Sequence, residues 1–199
     1  MIATLGDSAV RPLDSSRAER TRSAIITASR SLYLERGYAG TSINAIAKAC
    51  GISRAAFYHY FKDKREIFNV LGESAHHDVV TVIAECEAAL PRQPADIRAW
   101  VGQYFDYMDR HGAFVLASTH SAPEDDAFRM SRNQIVTRAS WKLGQAIAGA
   151  GSHSPDVVGV AVIGMLDRAW FAVQSQMVAV DREEIIAVVA EMISTLTGR

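Results

Sequence analysis

Cysteine is nearly missing from this chain: 199 residues hold two, Cys50 and Cys86, with neither CxxC spacing nor metal-ligand neighbours. A disulfide framework and a cysteine-based zinc site are excluded on that ground. Proline is also scarce, and all five (12, 91, 94, 123 and 155) fall outside the strongly periodic segments, where the ring would break a helix. No apolar run approaches the ~20 residues that span a bilayer. The opening MIATLGDSAVRPLDSS lacks the basic start and apolar centre of a secretory leader, so a cytoplasmic location with no membrane partner is expected. The six histidines include no pair at i, i+4, and the adjacent His76 and His77 point to different faces of a helix. No metal and no cofactor is expected. A nucleophile elbow and a phosphate loop are missing as well, which leaves an enzyme without a chemical signature.

What the chain has is helical periodicity. At 49% hydrophobic and 22% charged it can bury a substantial core. Helix starts are marked by pairs that place a capping oxygen three positions before a carboxylate: Ser16 with Glu19, Asp63 with Glu66, Ser121 with Glu124, and Asp181 with Glu184. Ser154 followed by Pro155 marks another. The pattern predicts an all-α fold of about nine helices, at 17–36, 43–50, 54–60, 64–90, 95–110, 113–119, 124–149, 155–178 and 182–197. Residues 1–16 read as a mobile arm.

One run, TSINAIAKACGISRAAFYHYFKDK from Thr41 to Lys64, is the most informative. Ile43, Ile46, Ala47 and Cys50 recur at i, i+3, i+4 and i+7 and so share one face of a short helix. Gly51 follows the last of them, where glycine accepts the left-handed conformation of a helix C-terminus, and Ser53 is placed to cap a second helix. This is helix-turn-helix spacing, with its core at 42–61. Phe57, Tyr60 and Phe61 take the inner face of the second helix. Ala55, Ala56, Tyr58 and His59 point outward. The alanines leave room for close approach to a groove floor, and the two rings carry polar atoms for phosphates or base edges. Double-stranded DNA is the implied partner. Charge agrees: residues 17–65 hold ten Lys/Arg against Glu19, Glu35 and Asp63, a net of +7, whereas the whole chain is −1 and the remainder therefore −8.

From Arg20 to about Phe68, roughly a quarter of the chain, these residues resemble the N-terminal domain of the TetR family of transcriptional regulators. The family's pattern falls on Tyr33, Gly37, Thr41, Ile46-Ala47, Cys50-Gly51, Ser53, Tyr58-His59-Tyr60-Phe61 and Lys64. Departures are small: Tyr33 stands for the usual Phe, Cys50 for Ala, Phe57 for Leu, and Ala56 where a Thr hydroxyl is common. The resemblance implies a DNA-binding domain at 17–68 and a helical ligand-binding and dimerisation domain at 69–199. It implies a repressor, released from a pseudo-palindromic operator by a small apolar or aromatic effector. A sequence-neutral architectural DNA binder is the alternative, and a helical enzyme a further one. By the same resemblance Thr41, Ser42 and Lys64, with Tyr58 and Tyr60, sit on phosphates. Asn44, Arg54, Ala55, Ala56 and His59 are the candidates for base-edge readout, and Ser53 joins the DNA-facing set.

The helices expected at 155–178 and 182–197 are apolar nearly all round, which requires burial on two sides. A homodimer meets that need, with Val158, Val162, Ile185, Val189, Met192, Ile193 and Leu196 as its interface candidates, and the resemblance implies the same bundle. Gly159 and Gly164 offer close helix approach. Aromatic residues cluster between the DNA reader and this face. Trp100, Tyr104, Tyr107, Phe114, Trp141, Trp170 and Phe171, with Asp167, are the candidates for lining an effector pocket, which the resemblance places in this domain. Core packing is the alternative for each ring.

Overall fold

The computed structural model describes residues 12–89, 94–120, 126–148, 153–176 and 178–196, and among them the chain is all-α. Eight helices follow one another: α1 (Pro12–Gly40), α2 (Ile43–Ala49), α3 (Arg54–Phe57), α4 (Lys64–Ala89), α5 (Pro94–His120), α6 (Asp126–Ala148), α7 (Pro155–Ser175) and α8 (Arg182–Leu196). Two expected capping pairs form, the Glu66 amide donating to Asp63 Oδ1 and the Glu184 amide to Asp181 Oδ1, each at 2.9 Å. Ser154 and Pro155 also open a helix, although the Ser154 side chain makes no capping bond.

Three expectations are corrected. Helix α1 begins at Pro12, so residues 12–16 belong to it and Ser16 is not its cap. Proline is tolerated there because a first-turn N–H has no intrahelical partner to lose. Residues 1–11, Ser121 and Glu124 lie outside the described residues. The helices expected at 95–110 and 113–119 are one, α5. No break occurs at Gly112, because that glycine serves packing: a Cβ there would lie 2.3 Å from Trp170 Cη2. The real interruption is in α1, where Gly37 (φ 69°, ψ 173°) takes a conformation that side chains with a Cβ avoid.

Two apolar cores result. The first gathers α1 to α3 on the start of α4, with Ile25, Tyr33, Ile46, Phe57, Phe61 and Phe68 buried in it. Each ring so buried contributes about 1.5–3 kcal/mol. The second holds Val82, Trp100, Phe105, Leu143, Leu166 and Ile193. Helices α4 and α5 run through both, since Ile67 and Leu71 of α4 and Ala117 of α5 lie in the first core and Ile83 and Val101 in the second. Helices α6 and α7 cross backbone to backbone. A Cβ on Gly159 would lie 1.8 Å from the Ser140 carbonyl oxygen, whereas one on Gly164 would meet nothing within 4 Å. Close approach therefore holds at Gly159 and not at Gly164. Among the described residues no helix is long and apolar enough to cross a membrane, and no group of three His, Cys, Asp or Glu could hold a metal.

Candidate nucleic-acid interface

Caps shape the exposed hairpin at one end of the molecule. Ser42 Oγ accepts the Ala45 amide at 3.1 Å and opens α2. At its other end Gly51 (φ 66°) lets the chain turn back, while the Cys50 amide donates to Ile46 O at 3.1 Å and the Ile52 amide to Ala47 O at 3.0 Å. Ser53 Oγ then accepts the Ala56 amide at 3.0 Å. Helix α3 is one turn, shorter than the expected 54–60. Past Phe57 the path tightens, with the His59 amide donating to Ala56 O and the Tyr60 amide to Phe57 O.

The two faces of the hairpin separate as helical spacing predicts. Phe57 and Phe61 are buried and Tyr60 half-buried. Ser42, Asn44, Ser53, Arg54, Ala55, Tyr58 and His59 are exposed, with Ala56 half-buried among them. Arg54 Nη2 donates to the Tyr58 hydroxyl at 3.2 Å, and the guanidinium lies 5.8 Å from that ring's centre. The cation that α3 offers is thus braced at its outer edge.

Two residues expected on phosphates are turned inward. Thr41 is 1% exposed. Its hydroxyl donates into the kink of α1, 2.8 Å from Gly37 O and 3.1 Å from Leu32 O, so the side chain has no route to a phosphate. Lys64 Nζ donates to Tyr38 O at 2.8 Å and to Thr41 O at 3.0 Å, which engages two of its three protons. Partial burial moves its pKa down. Tyr33 ties the same joint by donating its hydroxyl to Lys64 O at 3.0 Å, and burial raises that phenol.

Most of the expected pocket residues are core. Trp100 is buried and donates its indole N–H to Val82 O at 2.8 Å, and Trp170 is buried and donates to Asp109 Oδ1 at 2.7 Å. Tyr104 and Tyr107 are buried on α5. Phe114 packs on Phe68, with ring centres 4.8 Å apart, and Trp141 is 47% exposed on the outside of α6. Of that set Asp167 and Phe171 line a cavity of about 470 Å³. Its walls come from three helices. Tyr33, Leu34 and Gly37 of α1 form one, Leu116 and His120 of α5 another, and Gly164 and Arg168 of α7 the third. Asp167 Oδ1 accepts the Tyr104 hydroxyl at 2.8 Å, and burial raises the carboxyl from 3.8 to about 6.

The expected dimer face needs a rotation. Val162, Val189 and Ile193 are 1%, 3% and 0% exposed and fill the subunit's own core, so they cannot meet a partner. Val158 and Ile185 are half-buried against the same core. Met192 and Leu196 do face out, as do Val157, Val160 and Val188.

Comparison with known proteins places this architecture. Residues 25–71, the whole hairpin with the flanking turns of α1 and α4, match the family model for bacterial regulatory proteins of the tetR family. Over that segment the chain is similar to the TetR family. It is 32% identical over 80 residues to the HTH-type transcriptional regulator AcrR of Shigella flexneri, 40% of this chain and 37% of that protein. The chain thus spans little more than a third of that relative. With the HTH-type transcriptional regulator UidR of Escherichia coli strain K12 the identity is 28% over 154 residues, 70% of this chain and 72% of the relative. The fold is shared with the TetR family regulator PfmR from Thermus thermophilus, at a TM-score of 0.65 and 23% identity over 86% of this chain and 94% of that one. Each of these three proteins is described as a transcriptional regulator.

Proposed function

We propose that the chain is a repressor that holds a pseudo-palindromic operator as a homodimer and lets it go when a small apolar or aromatic effector binds. The observation that supports this most is the outer face of the α2–α3 hairpin, where Ser42, Asn44, Ser53, Arg54, Tyr58 and His59 stand exposed on a capped and cored support. Ser42, Ser53, Tyr58 and Tyr60 offer hydroxyls to phosphates, which sets register without reading sequence. Asn44, Arg54 and His59 offer base-edge contacts, and Ala55 and Ala56 give clearance. A two-fold assembly through the outward stripes of α7 and α8 would present two such hairpins to two half-sites.

Footprinting on the region upstream of its own gene, with random DNA as competitor, tests this reading. A protected two-fold site is expected, with a log-log salt slope near −7 for about eight phosphate contacts. Arg54→Ala should relax one operator position at a cost of ~1–3 kcal/mol. Equal affinity for the site and for random DNA would instead make the chain an architectural binder.

A further inference from the structure

The cavity between α1, α5 and α7 lies at the joint of the two cores, and its walls are chemically unequal. Leu34, Leu116 and the Phe171 ring are apolar. Among the described residues Asp167 is the one acidic side chain in the wall. Its carboxylate has Tyr104 as its hydrogen-bond partner, and among the described residues no basic group forms an ion pair with it. Arg168 on the next position is exposed and turned over the Phe171 ring, 5.6 Å from its centre. His120 Nδ1 donates to Leu116 O at 3.0 Å, which holds the ring along the α5 wall. A partly buried carboxylate with no ion-pair partner among the described residues, beside apolar surface and about 470 Å³ of space, is what a cation with an apolar body needs.

We propose that this cavity binds a small lipophilic organic cation, its charge against Asp167 and its apolar body between Leu34, Leu116 and Phe171. The inference rests on the ligand-released reading only for its consequence. Because Leu34 and Gly37 belong to the helix that builds the DNA-reading core and Asp167 to α7, an occupant sets the spacing between the two parts and so biases the hairpin.

The test uses the full chain and three ligands with one body and different heads: 6-(2-naphthyl)hexylamine, the matching alcohol and the matching carboxylic acid. By calorimetry at pH 7.5 the amine should bind at least tenfold tighter than the alcohol, and the acid weakest. Asp167→Asn, which keeps an acceptor for Tyr104, should erase the preference for the amine. Gly164→Leu, at a position whose Cβ meets nothing within 4 Å, should fill the space and abolish binding of all three. Equal binding of amine and alcohol to the wild type, or an undiminished preference in Asp167→Asn, overturns the proposal. So does native affinity in Gly164→Leu. Operator titration separates the two readings. If the amine binds with these signatures and operator affinity is unchanged, the site stands and the release mechanism falls. If another compound releases the operator while the amine does not bind, the release mechanism stands and this site falls.

Discussion

The Lys64 ammonium lies 4.3 Å from the centre of the Tyr38 ring and donates to the Tyr38 carbonyl at 2.8 Å, so this lysine fastens the end of α1 to the start of α4. Lys64→Ala should therefore destabilise the DNA-reading core by about 1–2 kcal/mol, the loss of charge-assisted bonds at a half-buried site. Urea unfolding measures it. The salt slope of DNA binding should change by less than one phosphate contact. A stable variant with a slope reduced by a full contact would return Lys64 to the phosphate set.

Gly112 and Gly164 should respond to alanine in opposite directions. At Gly112 the new methyl meets the Trp170 ring at 2.3 Å, and overpacking of this kind costs about 1–3 kcal/mol. At Gly164 the space is open and the residue is mid-helix, so Gly164→Ala should gain about 0.5–1 kcal/mol. Thermal melts of the two variants decide it, and equal effects of one sign would contradict both.

Neighbouring valines on α8 should separate assembly from folding. Val188 is 48% exposed, whereas Val189 is 3% exposed. Val188→Glu or Met192→Glu should leave the helical circular dichroism intact and convert dimers to monomers by light scattering, with weaker operator binding. Val189→Glu should unfold the chain, since it places a charge in the subunit's core. A dimeric Val188→Glu would move the interface elsewhere.

Acidity should act on stability through Asp167. Its carboxyl is raised from 3.8 to about 6, so between those values the folded chain keeps a proton that the unfolded chain has lost. Stability from this group is thus full below the unfolded value and declines as pH rises through about 6. Asp167→Asn imitates the protonated acid. It should match the wild type near pH 4 and exceed it by about 2–3 kcal/mol near pH 7.5 in urea titrations. A pH-independent offset would show that the charge is not what the burial opposes.

The DNA-reading hairpin is legible in the sequence because its determinants are local. Ser42 and Ser53 cap helices three residues ahead, Gly51 turns the chain, and the inner and outer faces follow from helical spacing alone. Thr41 and Lys64 escape such reading for the converse reason. Their partners are carbonyls at Leu32, Gly37, Tyr38 and Thr41, which only tertiary packing brings to them. The outward apolar stripe of α8 lies one step around the helix from the face expected to meet a partner, since adjacent apolar residues such as Val188 and Val189 differ by about 100° and composition does not say which faces out. The cavity has no signature because it is a space left between side chains of three packed helices far apart in the chain, which no local pattern marks.

Helix α5 runs unbroken for 27 residues, a rod of about 40 Å at 1.5 Å per residue. Trp170 bears on it at Gly112, about two thirds of the way along. The short arm beyond it, about 12 Å long, carries Ala117 into the DNA-reading core, while the long arm of about 27 Å lies in the other core. A tilt of about 5° then moves the long end by about 2 Å and the short end by about 1 Å in the opposite sense. About such a pivot, travel would roughly halve from the long end to the short one.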